Sequence, residues 1–299
     1  MSFINNMIVS ATSLMPKNIV HLFSQRYIAG ESITDGIKKV KELNAKGIYA
    51  TMDVLGESIT NREEALAARN DSMQVLDAIV EHGLKANLSI KPTQMGLSID
   101  EDFAYENVLH LVEKASKINS FVRIDMEDSM YTDKTINLFK RIYEKYDCVG
   151  IVLQAYLKRT YSDVLNLNPL GTNYRLCKGI YVEPPTIAYQ NRQDVRDNFM
   201  KCLLAMLKNG NYVGIATHDD YLIRESYKLI NQLNIPSDKF EFQMLLGVKE
   251  DLRDKINADG YKIRVYVPFG KDWYAYSLRR LKENPHIARH IFLNIFKFN

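Results

Sequence analysis

The sequence contains few cysteines, and no spacing organises them. Its three cysteines, Cys148, Cys177 and Cys202, form no CxxC pair and no Cys/His pattern with zinc-ligand spacing. An odd number of scattered cysteines argues against a disulfide framework as well as a zinc site. We therefore expect a protein of a reducing compartment and predict a cytoplasmic location.

Long hydrophobic runs are also missing. No stretch approaches the roughly 18 apolar residues that a membrane-spanning helix needs. The apolar segment at residues 7–15 lacks a basic leader and is interrupted by Ser10, Thr12 and Ser13, so we do not expect a signal peptide. The sequence therefore predicts a protein that is not integral to a membrane.

Neither sign of charge dominates. The formal net charge is only +3, and the basic residues are dispersed, which argues against a nucleic-acid partner. No GxGxxG follows the first predicted strand and no GxxxxGK[ST] occurs, so Rossmann-type and phosphate-loop nucleotide sites lack their signatures. The hydrophobic share of 46% and charged share of 25% are typical of an ordinary globular protein.

Short runs rich in β-branched and apolar residues recur along the chain, alternating with polar segments of helical periodicity. Such alternation indicates βα units around a parallel sheet, and eight strands are the number that closes a barrel. We therefore predict an α/β fold, a (β/α)8 TIM-type barrel. Its predicted strands span residues 47–52, 86–90, 121–124, 149–153, 174–177, 212–216, 239–244 and 262–267.

The segments between these strands predict helices. The predicted helices span residues 62–82, 100–118, 133–146, 161–167, 195–209, 221–233 and 249–258. Thr60 precedes Glu63 by three residues, as in a capping box, and Asp100 and Asp133 are candidate caps of their own helices. Glycines fall where helices end and the chain turns back toward a strand, at Gly47, Gly83, Gly210 and Gly260.

We predict one barrel with a short extension at its start. Residues 1–45 form an N-terminal helical extension whose amphipathic stretch, 32–43, plugs or flanks the bottom of the barrel. Residues 46–299 form the catalytic barrel domain, including a final helix.

Polar residues follow every predicted strand. One such residue alone is most often a solvated loop residue or part of a salt bridge. In a TIM barrel, however, all strand ends meet at one mouth, where burying so many polar groups costs free energy unless a ligand or mutual pairing compensates. The set comprises Asp53, Glu57, Lys91, Gln94, Asp125, Glu127, Asp128, Gln154, Arg175, Lys178, Thr217, His218, Asp219, Gln243 and Tyr266.

Two arginines share one face of the predicted final helix. Tyr276, Arg279, Arg280 and Glu283 are related by spacings of three and four residues. Paired arginines on a helix are often solvent-facing. Here an aromatic ring lies on the same face, and a carboxylate is placed to hold a guanidinium, which suits a small carboxylate ligand with an apolar body.

A metal site is the less favoured alternative at the mouth. Asp125, Glu127 and Asp128 with His218 are ligand types for Mg²⁺, Mn²⁺ or Zn²⁺. The neighbouring cations, Lys91 among them, would compete for these carboxylates. We predict no metal.

At this point the motifs resemble those of monofunctional proline dehydrogenases. The motifs are RIDMED at 123–128, QAYL at 154–157, RLCKGIY at 175–181, ATHD at 216–219, EFQML at 241–245, and RVYVPFG at 264–270 followed by the Trp, Tyr and RRL positions. The resemblance covers residues 47–285 in family order. It implies a barrel that holds FAD non-covalently, oxidises L-proline to 1-pyrroline-5-carboxylate and passes electrons to a membrane quinone.

The resemblance also implies a role for individual residues. Asp125 and Arg175 would be catalytic. The substrate would be bound by Lys91, Tyr181, Leu245, Tyr266, Tyr276, Arg279, Arg280 and Glu283. The flavin would be bound by Met126, Gln154, Arg175, Lys178, Gly179, Ile180, Thr217 and His218.

Several alternatives stay open. Another flavin barrel, such as a relative of methylenetetrahydrofolate reductase, would not need the twin arginines. A barrel that has lost catalysis would only bind proline or a partner. The basic and apolar segment 286–299 either packs on the barrel or contacts the inner face of the membrane, where quinone is reached. A separate pyrroline-5-carboxylate dehydrogenase could take the product as a partner.

Overall fold

A computed structural model describes residues 17–56, 59–274 and 276–277 of the chain. Its centre is a closed barrel of eight parallel strands in the order β1 to β8, in which β8 pairs back onto β1. The strands are β1 (Tyr49–Val54), β2 (Ala86–Ile90), β3 (Val122–Ile124), β4 (Val149–Gln154), β5 (Tyr174–Cys177), β6 (Val213–Ala216), β7 (Phe240–Leu245) and β8 (Ile263–Phe269). The predicted (β/α)8 TIM-type barrel is confirmed.

Helices alternate with the strands, as predicted. They are α1 (Lys17–Tyr27), α2 (Ile33–Asn44), α3 (Arg62–Glu81), α4 (Glu101–Lys117), α5 (Thr132–Tyr143), α6 (Thr160–Leu167), α7 (Arg192–Lys208), α8 (Asp220–Gln232) and α9 (Glu250–Ala258). Among the residues described, none of the helices is long and apolar enough to cross a bilayer.

Helix starts were predicted with mixed success. Asp100 caps α4, because its side chain accepts a hydrogen bond from the Phe103 amide. The Thr60 capping box is wrong: Asn61 caps α3 by accepting from the Glu64 amide, one residue later than predicted.

The cap predicted at Asp133 is also wrong. Helix α5 begins at Thr132, so Asp133 lies inside its first turn, and its carboxylate accepts a hydrogen bond from Arg159 instead.

The predicted glycine turns are confirmed by backbone geometry. Each glycine adopts a positive φ, where side chains with a Cβ are strained. The φ values are 77° at Gly47, 57° at Gly83, 80° at Gly210 and 85° at Gly260.

The predicted amphipathic helix lies on the side wall of the barrel. Ser32 and Asp35 form a reciprocal capping box at the start of α2. The helix contacts the outer faces of β1 and β8, where a Cβ on Gly36 would lie 2.9 Å from the Phe269 ring. Helix α2 therefore belongs to the ring of helices around the barrel rather than plugging its bottom. The division at residue 45 stays a prediction.

The strands separate an apolar core, which lies between the sheet and the helices, from a polar interior enclosed by the barrel. Outward-facing strand residues such as Met52, Leu88 and Ile151 are fully buried against the helices in one apolar core. Many inward-facing positions carry polar and charged side chains, which are buried together inside the barrel. The candidate site therefore lies inside the barrel, toward the carboxyl ends of the strands.

Candidate active site

Arg175 on β5 lies at the centre of the polar interior and is only 6% exposed. Its Nε donates to Gln243 Oε1 (2.6 Å), and its Nη1 donates to Asp125 Oδ1 (2.8 Å) and Ser89 Oγ (3.2 Å). A longer contact of 3.4 Å joins Nη2 to Thr51 Oγ1. Partners from several strands therefore fix the plane of one guanidinium.

Asp125, which directly follows β3, is the anionic partner of Arg175. Its Oδ1 also accepts from Ser89 Oγ (2.7 Å), and its Oδ2 accepts from the Tyr266 hydroxyl (2.8 Å). Burial, reinforced by the carboxylate of Asp125, raises the pKa of Tyr266 well above its ordinary value, so the phenol remains a donor. With three donors, this carboxylate is organised as an acceptor.

Lys91 follows β2 and pairs with Asp53 on β1. The ammonium lies 3.1 and 3.0 Å from the two carboxylate oxygens of Asp53, which is fully buried. Burial alone would lower the pKa of Lys91, but Asp53 and Asp125 outweigh it and raise the pKa. Lys91 therefore presents a stable positive charge, and its side chain is still 12% exposed.

Tyr276 lies in the helical segment that follows Trp273. It is 6% exposed and packs in a small apolar cluster with Tyr27, Ile28 and Leu55. Tyr276 also acts electrostatically on Tyr266. Helix α1 therefore helps hold this predicted substrate residue beside the barrel mouth.

The ends of β3 and β4 are tied together. Gln154 is buried and its Nε2 donates to the backbone oxygen of Glu127 (2.7 Å). The carboxylate of Glu127 accepts from the amide (2.9 Å) and hydroxyl (2.6 Å) of Thr93. Met126, which precedes Glu127 in the chain, is also buried. Burial raises the pKa of Tyr181, and the nearby carboxylate of Glu127 raises it further.

A cluster of cations surrounds one carboxylate beyond β5 and β6. Asp219 lies 3.5 Å from Lys178, 3.2 Å from Arg192 and 2.8 Å from Arg196. Burial would raise the pKa of Asp219, but these three cations hold it well below its usual range. Thr217, also buried, accepts from the Asp219 amide (3.1 Å). Three cations and one carboxylate leave this group with an excess of positive charge.

The loop after β5 requires glycine at one position. Gly179 has a φ of 105°, and a Cβ there would lie 2.0 Å from the Tyr156 ring. The next residue, Ile180, is 41% exposed. After the neighbouring strand β6, His218 Nε2 accepts from the Leu245 amide (2.9 Å), which places both predicted residues at the same rim.

Below Arg175 lies a charged layer that the sequence analysis did not assign to the site. Glu241 accepts from Gln243 Nε2 and Arg264 Nε, both at 2.6 Å, and Arg264 also donates to the backbone of Ala50. Arg123 is 2% exposed and lies close enough to Glu241 and Arg264 to interact with their charges. The available signal was charge inside predicted strands, at alternate positions that share the inward face.

The acidic trio considered as a metal site does not converge. Asp125 turns toward Arg175, whereas Glu127 turns toward Thr93. Among the residues that the structure describes, no group of three or more His, Cys, Asp or Glu side chains could hold a metal ion.

Four predicted positions lie outside the described residues. They are Glu57, Arg279, Arg280 and Glu283, and the segment 286–299 lies outside as well. The roles of Arg279 and Arg280 therefore stay predictions. Among the described residues, the structure brings together Asp125, Arg175, Lys91, Tyr266 and Tyr276 around one mouth.

Comparison with known proteins identifies relatives along most of the chain. The sequence profile described as proline dehydrogenase matches residues 36–291. Proline dehydrogenase 2 of Bacillus subtilis is 39% identical over 260 residues, covering 87% of this chain and 86% of the relative. Proline dehydrogenase of Deinococcus radiodurans is 37% identical over 279 residues, covering 92% and 90%.

Solved structures share the fold. The structure of proline utilization A from Bdellovibrio bacteriovorus, inactivated by N-propargylglycine, superposes with a TM-score of 0.82 at 25% identity over 87% of this chain. This chain spans only 32% of that longer protein. Proline utilization A from Corynebacterium freiburgense, at 21% identity and a TM-score of 0.77, supports the fold alone. By the profile match and these relatives, the chain belongs to the proline dehydrogenase family.

Proposed function

We propose that this chain oxidises L-proline to 1-pyrroline-5-carboxylate, the first step of proline catabolism, with a non-covalent FAD as its cofactor and a quinone as electron acceptor. The observation that carries the proposal is the buried Arg175–Asp125 pair, fixed by residues from several strands at the mouth of a barrel of this family. An ion pair that is fixed in a buried, low-dielectric interior can stabilise charge that develops during a reaction.

The residues present fit a flavin dinucleotide. The excess positive charge of Lys178, Arg192 and Arg196 around Asp219 suits a diphosphate, and the side chains of Arg192 and Lys178 remain 71% and 39% exposed. At Gly179 the backbone packs directly against the Tyr156 ring, which fixes the path of the loop that carries Lys178. The family resemblance assigns Gln154, Met126, Thr217 and His218 to the flavin as well.

When bound, the flavin supplies a hydride acceptor at its N5. Arg175 would lie near that position, where its positive charge stabilises the negative charge of the reduced ring. Asp125 holds and orients Arg175 rather than taking a proton itself, because its oxygens already accept from Ser89, Arg175 and Tyr266.

Proline is held as a carboxylate with an apolar ring. Lys91, Arg279 and Arg280 bind the carboxylate by charge-assisted hydrogen bonds, and Glu283 orients the arginines. Tyr276, Tyr266, Tyr181 and Leu245 pack against the ring. Bound in this way, proline would present the ring carbon next to its nitrogen for oxidation, and its ammonium group would release a proton to solvent.

The electrons pass to a quinone dissolved in the membrane. A peripheral contact through residues 286–299 and packing of that segment on the barrel remain the two interpretations. Deleting 286–299 separates them, because membrane contact predicts weaker liposome binding, whereas packing predicts unchanged binding and a lower melting temperature. A separate pyrroline-5-carboxylate dehydrogenase would consume the product.

One spectrum tests the proposal. The purified protein is expected to carry a yellow flavin whose absorbance bleaches on anaerobic addition of L-proline. A relative of methylenetetrahydrofolate reductase would instead bleach with a reduced nicotinamide, and a barrel without catalysis would keep its colour. FAD is identified by mass after acid release of the cofactor. Either of those other outcomes would overturn the proposed reaction.

A further inference from the structure

We propose that Gln243 is a positioning residue, whose side-chain amide sets the orientation of Arg175 from below. The inference rests on the proposed function, because it concerns how Arg175 faces the flavin. It assigns a part in the reaction to a residue of the barrel interior that would touch neither substrate nor cofactor.

The contact is short and specific. Arg175 Nε donates to Gln243 Oε1 at 2.6 Å, and Gln243 is 6% exposed. A guanidinium carries only donors, so the amide oxygen and not the amide nitrogen must face it. The contact therefore works in only one of the two orientations of the amide.

A second hydrogen bond selects that orientation. Gln243 Nε2 donates to Glu241 Oε1, again at 2.6 Å. Glu241 is held by Arg264 and Lys262, and although burial opposes ionisation, Arg264 lowers the pKa of Glu241 to about 2. An ionised carboxylate only accepts hydrogen bonds, so it draws the amide nitrogen downward and leaves the oxygen facing Arg175.

The neighbouring strand leaves room for this amide. A Cβ on Gly214 of β6 would lie 2.3 Å from Gln243 Nε2 and 2.8 Å from its Cδ. Any larger residue at this position would push the amide out of place. Gly214 therefore leaves the space in which the Gln243 amide lies.

Two edges of the guanidinium are then held from different sides. Asp125 and Ser89 hold the Nη1 edge from β2 and β3, and Gln243 holds the Nε edge from β7. Without Gln243, the ion pair with Asp125 would survive, but the guanidinium could pivot about it. The expected loss is therefore in the stabilisation of reduced flavin and of the transition state, with little loss of substrate binding.

The test is Gln243→Met, which keeps the approximate length and shape of the side chain but removes its hydrogen bonds. The matched control is Gln232→Met, at the exposed end of α8. In the flavin-loaded enzyme, we expect kcat with L-proline to fall about tenfold and KM to stay within about twofold. The flavin midpoint potential should become more negative, because a pivoting cation stabilises the reduced ring less.

Gly214→Ala provides a second route that leaves Gln243 itself in place, and we expect changes in the same direction. An unchanged potential and kcat in a folded Gln243→Met enzyme would overturn the inference, even if its melting temperature fell, since that is the mark of a purely structural role. If Gln243→Met does not fold, unchanged values in Gly214→Ala would overturn it. Failure of the proposed function is distinct, because the native flavin would then not be reduced by L-proline.

Discussion

Glu241 is a buried carboxylate among buried cations, and its charge matters for stability as well as for orientation. It is 2% exposed and lies 2.6 Å from Arg264. Its folded-state pKa of about 2 lies below the value of an unfolded chain. Its stabilising contribution is therefore complete above the unfolded pKa and is lost as pH falls from there toward 2.

This linkage gives a pH prediction. The contribution at neutral pH is about 3 kcal/mol for a shift of this size. Between about pH 5 and pH 3, the free energy of unfolding should fall more steeply in the native protein than in Glu241→Gln. Urea titrations at a series of pH values measure both slopes. Parallel curves in this interval would show that Glu241 does not carry the linkage.

Lys91 and Lys85 lie at opposite ends of β2 and offer a matched pair. Lys91 pairs with Asp53 near the mouth, whereas Lys85 is exposed just before the strand begins. Lys91→Met should raise KM for L-proline about tenfold or more, because it removes a charged donor for the carboxylate. Lys85→Met should leave KM unchanged. Equal KM values in steady-state assays of the two variants would remove Lys91 from the substrate site.

At the scale of single residues, the sequence predicted which residues gather at the mouth better than it predicted which of them form pairs. The sequence predicted that Asp125, Arg175 and Lys91 meet at the mouth, and the structure shows that Arg175 pairs with Asp125 whereas Lys91 pairs with Asp53. Which carboxylate meets which cation depends on register around a closed barrel, and a linear pattern does not contain that information. The charged layer with Glu241 did leave a signal, charge at alternate positions inside predicted strands, but the pairing of Glu241 with Arg264 depends on the same register.

At the scale of elements, glycines in simple turns differ from glycines in tightly packed loops. Gly210 has a positive φ, and a Cβ there would have none of the described atoms within 4 Å, so this glycine serves only the turn after α7. Gly179 also has a positive φ, but a Cβ there would collide with Tyr156. Both positions have a positive φ that would strain any residue with a Cβ, but they differ in their surroundings.

Alanine at the two positions should therefore have different effects. Gly210→Ala should cost about 1 kcal/mol of stability from backbone strain and leave flavin content intact. Gly179→Ala should lower the flavin content of the purified protein severalfold, because the loop after β5 must move. Flavin absorbance per protein, with a denaturant titration of each variant, measures both effects. Full flavin content in Gly179→Ala would contradict the assignment of this loop to the cofactor.

Strands were easier to predict than helix starts. All eight strand runs were placed to within two residues at each end, because β-branched runs between turns leave few alternatives. Helix caps depend on which of several neighbouring polar residues reaches a free amide, and that choice was wrong at Thr60 and Asp133.

At the scale of the whole molecule, closure of the barrel is what turns scattered motifs into a site. The first strand pairs with the last, so Asp53 and Tyr266, more than two hundred residues apart, both come close to Asp125. The number of strands predicted closure, and the common direction of parallel strands predicted the end at which polar groups meet. Substrate and cofactor came from motif resemblance, since fold alone implies neither.

The central claim is that this mouth oxidises proline, with Asp125 holding Arg175 in place. The most direct measurement is the rate of anaerobic flavin reduction by L-proline in rapid-mixing experiments on native enzyme, Asp125→Asn and the surface control Asp77→Asn. We expect full reduction in the native and control enzymes and a rate at least about a hundredfold slower in Asp125→Asn. A native flavin that L-proline does not reduce, or an Asp125→Asn enzyme as fast as native, would contradict the account.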